Sequence, residues 1–163
     1  MPHSAAATAL RPEASGPGIP NINPATGLST DYLNHFTEAL MALEMASDIP
    51  ECLDDLRAWA PKTYAEHFRQ SGFTKRSVAI RLYDNADRAL REEVDRISDA
   101  INGLLAKARA AAIGGGEIAA IASRAAATIR PLIADLAALI NGVADEPADR
   151  LSAQAAIDAM FGR

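Results

Sequence analysis

Residues 90–108 read LREEVDRISDAINGLLAKA. Leu90, Val94, Ile97, Ile101, Leu104 and Ala108 follow one another in alternating steps of four and three, the spacing of a heptad seam. A strand would alternate with a period of two, and this run does not. Gly114-Gly115-Gly116 must end the helix, because each glycine costs about 1 kcal/mol in a helix interior. Beyond the glycines, residues 117–141 read EIAAIASRAAATIRPLIADLAALIN, with a second stripe at Ile118, Ile121, Ala125, Ile129, Leu132, Leu136 and Ile140. Two helices of roughly 25 residues, each about 38 Å long, joined by a three-residue turn, make an antiparallel hairpin. Pro131 falls inside the second helix and is predicted to kink it by removing the bond to the Ala127 carbonyl.

The rest of the chain is built in the same idiom. Leu33, Phe36, Leu40 and Leu43 predict a helix over 30–46. A second helix is expected over 50–59, with Asp48 and Glu51 at capping-box spacing and Ile49, Leu53, Leu56 and Trp59 inward. A third, short helix is expected over 62–71 with Thr63 and Glu66 as its capping box, ending at Gly72. Thr74 reads as the cap of a fourth helix, with Phe73 and Val78 as its staple, and Asp84-Asn85-Ala86-Asp87 as its break. Residues 1–28 hold five prolines and read as a largely disordered arm, although Ile22 and Leu28 offer apolar pins. Residues 29–142 form the bundle, 143–148 a linker, and 149–163 a short amphipathic C-terminal helix. The fold class is therefore all-α, with the long hairpin over 86–142 as its spine. One hairpin has a single shared face, so either the N-terminal helices or a second copy must cover the remainder. The length of its stripes predicts a homodimer.

Composition narrows the function classes. The chain has 163 residues, 49% of them hydrophobic but only 5% aromatic, and a net charge of −5. Basic residues between Lys75 and Arg109 are interleaved with acids, which marks a solvated helix face and excludes a nucleic-acid footprint. No stretch reaches the roughly 18 apolar residues of a membrane span. Cys52 is the only cysteine, and the start of the chain lacks a signal-peptide pattern, so a reducing, cytoplasmic setting is expected. No cofactor motif is present, and the glycine triplet lacks the Lys-Ser/Thr of a phosphate loop. A metal-binding bundle needs Glu-x-x-His pairs on facing helices. This sequence has one such spacing, in reverse order, at His35 and Glu38, so His35 and His67 are expected at the surface or its boundary and no metal is expected.

The acid–amide pairs carry the one chemical lead. Asp99 and Asn102 are three apart on the hairpin, off the seam of Ile97 and Ile101. An acid beside an amide is what dephosphorylation of an aspartyl phosphate requires: the amide aligns a water for in-line attack and the acid engages a lysine of the phosphorylated partner. Glu66 and Gln70 are the second choice, at a spacing of four. The same residue types also make an ordinary solvated face.

One segment resembles known peptides. Leu151-Ser152-Ala153-Gln154-Ala155-Ala156-Ile157-Asp158-Ala159-Met160-Phe161 is similar to the N-terminal peptide of the flagellar motor switch protein, whose pattern is Leu-Ser-Gln-x-Glu-Ile-Asp-Ala-Leu-Leu/Phe. It also resembles the amphipathic C-terminal tail of the chemotaxis phosphatase family, whose long hairpin dimerises into a four-helix bundle. Ala153 is one residue extra, Ala156 replaces the usual Glu, and the phosphatase's Asp-x-x-x-Gln is missing from the hairpin. The resemblance implies binding of a chemotaxis-type response regulator through Leu151, Gln154, Ile157, Asp158, Met160 and Phe161, with stimulated dephosphorylation as a further expectation. Residues Asn23 to Phe36 are similar to small uncharacterised proteobacterial proteins, a likeness that names no activity. The reading from another class is a structural or adaptor bundle without enzymatic activity. A self-contained enzyme finds no acid, base and nucleophile set in this sequence.

Overall fold

A computed structural model describes residues 22–143. They form a 3-10 turn at Thr30–Tyr32 and six helices: α1 (Leu33–Met45), α2 (Cys52–Ala58), α3 (Tyr64–Gln70), α4 (Arg76–Asp84), α5 (Arg88–Ile113) and α6 (Ile118–Asn141). The described residues contain no strand; a single isolated bridge joins Ile22 to Ser29. The all-α bundle with its long hairpin is thus the observed architecture. The C-terminal helix and the six partner-binding residues expected on it lie outside the described residues.

The hairpin forms as its pattern requires. Val94, Ile97, Ile101 and Leu105 of α5 are buried against Ile121, Ile129, Leu132, Leu136 and Ile140 of α6. Leu105, one position past the expected Leu104, takes the fully buried place, since 3.6 residues per turn drift from a strict heptad. At the tip Gly115 adopts a φ of +93°, which side-chain-bearing residues avoid. A Cβ on Gly116 would stand 2.7 Å from Ile121 Cδ1 and 2.9 Å from the Ala111 carbonyl oxygen, so this turn has no room for alanine. α6 runs unbroken through Pro131. Both Pro131 and Ala127 are exposed, so the carbonyl that loses its partner faces water.

α1 and the 3-10 turn before it lie across the hairpin's open face, burying Tyr32, Phe36, Ala39, Leu40 and Leu43. A smaller cluster at the hairpin tip joins Leu43 and Leu56 to Ala112, Ile121 and Ala122. Arg109 fixes α2 there by donating to the carbonyls of Leu56 (2.8 Å) and Arg57 (2.9 Å), a cation at a helix C-terminus. The need for a covering layer, from which a dimer was expected, is met within one copy by the N-terminal helices.

Some local expectations need revision. The pins expected at Ile22 and Leu28 are core residues, so residues 22–28 of the stretch read as an arm belong to the packed domain, and the loop they anchor caps α6. Asn23 Nδ2 donates to the Asn141 carbonyl (3.3 Å) and Thr26 Oγ1 to that of Ile140 (2.5 Å). The start of α2 is uncapped and Ile49 is 43% exposed, because residues before Cys52 form a turn of their own. Thr74 does not cap α4, which starts at Arg76. The Thr63–Glu66 capping box of α3 is present as expected.

Candidate functional site

The densest polar feature sits where α1, α5 and the connection between α2 and α3 meet. His35 on α1 is only 3% exposed, a correction to the surface or boundary position expected for it. Its ring is stacked on Trp59 (centroids 5.0 Å apart) and lies parallel to Tyr32 (5.9 Å). Trp59 in turn donates its indole N–H to the His35 carbonyl at 3.0 Å. The aromatic packing continues through Tyr32, Tyr64, Phe68 and Tyr83.

The backbone of Lys62 is held from three sides. Its carbonyl accepts from the Tyr32 hydroxyl (2.6 Å) and from Asn102 Nδ2 (2.9 Å). Its amide nitrogen lies 3.2 Å from His35 Nε2, and the same Nε2 lies 2.9 Å from Asn102 Oδ1. One nitrogen does not donate and accept at once. The ring protonated on Nε2 bonds to Asn102, and the other tautomer accepts from the Lys62 amide. A doubly protonated ring would confront that amide with no lone pair. Burial works in the same direction and depresses the imidazole's proton affinity to a pKa of about 4, opposed in part by the Asn102 bond. Burial likewise raises the Tyr32 hydroxyl far above its ordinary range, and raises that of Tyr64 to about 12, while Tyr64 accepts from the Ser29 amide at 2.9 Å. These groups stay neutral near pH 7 and behave as a clasp that fixes an extended segment of chain.

The expected acid–amide pairs are placed as follows. Asp99 is exposed, and partial burial with the nearby Asp95 charge raises its pKa. Asn102 points the other way: it is 7% exposed, with its oxygen toward His35 and its nitrogen toward Lys62. The two residues share a helix but not a solvent face, because α1 and the Lys62 segment cover the side of α5 that carries Asn102. Glu66 accepts from the Thr63 amide (2.9 Å) as part of the capping box, while Gln70 is exposed at the end of α3. Beside them His67 Nε2 meets Asp31 Oδ2 at 3.0 Å. Among the described residues no group of three His, Cys, Asp or Glu side chains is arranged to hold a metal. The clasp was missed at the sequence level because His35 and Asn102 are far apart in the chain. The only hint was an amide three residues from an acid beside an apolar seam.

The surface carries a second feature. Met41, Met45 and Ile49 are exposed large apolar side chains at 56%, 42% and 43%. Met41 borders two depressions. One, between α1 and α6, is lined by Thr37, Leu40, Arg130, Ile133, Ala134 and Ala137; the other is flanked by α2, with Cys52, Ala58 and Trp59 in its wall. Methionine-rich apolar surfaces adapt to the shapes of partners. None of the described helices is long and apolar enough to cross a membrane. Comparison with family models, curated proteins and solved structures gives no match to this chain.

Proposed function

We propose that this chain is a regulatory interaction protein that binds and does not turn over a substrate. The observation that carries this reading is the engagement of the Asn102 amide on both sides, by His35 and by the Lys62 carbonyl. An amide so held has neither the freedom nor the exposure to align an attacking water, and its loss from the acid–amide pair leaves Asp99 without a partner for that chemistry. The partner we assign is a response regulator of the chemotaxis type, engaged by Leu151, Gln154, Ile157, Asp158, Met160 and Phe161. This rests on the resemblance of residues 151–161 to regulator-binding peptides. Ile157, Met160 and Phe161 stand at i, i+3 and i+4, the anchor spacing of helix-in-groove recognition. The test is a titration of the regulator with the full chain and with a chain lacking residues 149–163. Saturable binding that disappears with the truncation is expected; equal binding by both chains would refute the assignment.

The reading as a structural or adaptor bundle draws support from the exposed Met41, Met45 and Ile49 surface, which lies on α1 and the turn that follows it. If that surface is the binding element, the truncated chain keeps its partner and Met41→Glu loses it.

A further inference from the structure

The groove between α1 and α6 has a volume of about 300 Å³ and largely apolar walls formed by Leu40, Met41, Ile133, Ala134 and Ala137. α1 and α6 run in opposite directions along it. At one end Arg130 pairs with Glu44 at 2.5 Å. The other end, at Thr37 and Ala137, is nearer the C-terminus of α6, where Gly142 turns the chain out of the helix with a φ of +71° and Val143 emerges 70% exposed.

We infer that this groove is the docking site of residues 149–161 of the same chain. Twenty residues of sequence follow Val143. Ala137 lies six residues back along α6, about 9 Å away, so a chain reversing direction reaches the groove with the linker alone. From Ala137 to Arg130 the groove extends about 10 Å, enough for anchors spaced i, i+3 and i+4. Ile157, Met160 and Phe161 supply apolar groups for apolar walls, and Ala134 and Ala137 leave space for a close approach. Residues 144–163 carry four acids and two bases, and the groove lining holds one basic residue, Arg130, which is paired with Glu44. The consequence for regulation rests on the preceding reading: the same three anchors serve the regulator, so docking in the groove and binding the partner compete.

Methyl NMR on the intact chain, with no regulator present, tests the docking alone. Nuclear Overhauser contacts from the Ile157 and Met160 methyls to those of Ile133 and Met41 are expected within a single copy. Their absence, or their appearance only between differently labelled copies in a mixed sample, overturns the inference. Ala134→Glu places a carboxylate in the groove at an exposed position, one turn from Arg130, where the helix tolerates it. In this variant amide exchange over residues 151–161 should accelerate at least tenfold while the bundle still melts cooperatively; unchanged exchange would overturn the inference. Regulator is then added. If the methyl contacts are present but regulator fails to bind either chain, the partner reading falls and the docking stands. If both hold, Ala134→Glu should bind regulator severalfold more tightly than the parent.

Discussion

Acidification should weaken this fold through His35 in a defined window. Folding takes the ring from an ordinary value of 6.5 down to about 4, chiefly by burial. A folded-state pKa below the unfolded one means that the unfolded chain takes up the proton first as pH falls. The stability His35 provides is therefore complete above about pH 7, declines between 6.5 and 4, and levels off below 4. At about 1.4 kcal/mol per pH step the loss is on the order of 3 kcal/mol, a large share of the 5–15 kcal/mol typical of a domain. At 3% exposure the ring has little solvent to screen it. The assay is urea unfolding at pH 7.5, 6, 5 and 4 for the parent and for His35→Gln. Carboxylates, among them Asp99 with its raised proton affinity, are common to both proteins and cancel in the difference. At pH 7.5 the variant should be less stable, having lost the stack on Trp59 and the imidazole's bonds. By pH 4 that gap should close by about 3 kcal/mol. Parallel pH profiles for the two proteins would refute the buried, neutral state assigned to His35.

Three further substitutions test other joints. Asn102→Ala removes two buried side-chain hydrogen bonds and should cost about 2–4 kcal/mol in urea melts; a neutral effect would mean that the Lys62 clasp does not exist in solution. Gly116→Ala should destabilise the hairpin turn by about 1–3 kcal/mol, because its Cβ meets Ile121 and the Ala111 carbonyl; an unchanged melting temperature would contradict the turn geometry. Thr26→Val should cost about 1 kcal/mol and raise amide exchange in the last turn of α6, whose Ile140 carbonyl it caps; unchanged exchange there would remove the loop from its capping role.

The hairpin was legible because one helix face carries enough of its energy to imprint a period on the sequence. The capping box at Thr63 and Glu66 was legible for a related reason: both of its bonds are local. Thr74 shows the limit of such signals, since a cap residue without a helix start at the next position is only a turn residue. Ile22 and Leu28 stood in a proline-rich stretch whose composition speaks for an arm, and their burial depends on a surface made by distant helices. The clasp was the least legible. His35, Trp59, Lys62 and Asn102 come from three separate stretches, and no local rule states that a buried imidazole will find an amide on α5. Helical spacing puts Asp99 and Asn102 three residues apart on one helix, but spacing along one helix does not tell which neighbour covers each side chain, and only Asn102 is buried.

The central claim, binding without turnover, is tested most directly by following a phosphorylated chemotaxis-type regulator in the presence of saturating full-length chain, with complex formation and aspartyl-phosphate decay recorded in the same sample. The account predicts full occupancy with a decay rate equal to that of the regulator alone. Accelerated decay, or a regulator that stays unbound by both the parent and Ala134→Glu, would contradict it.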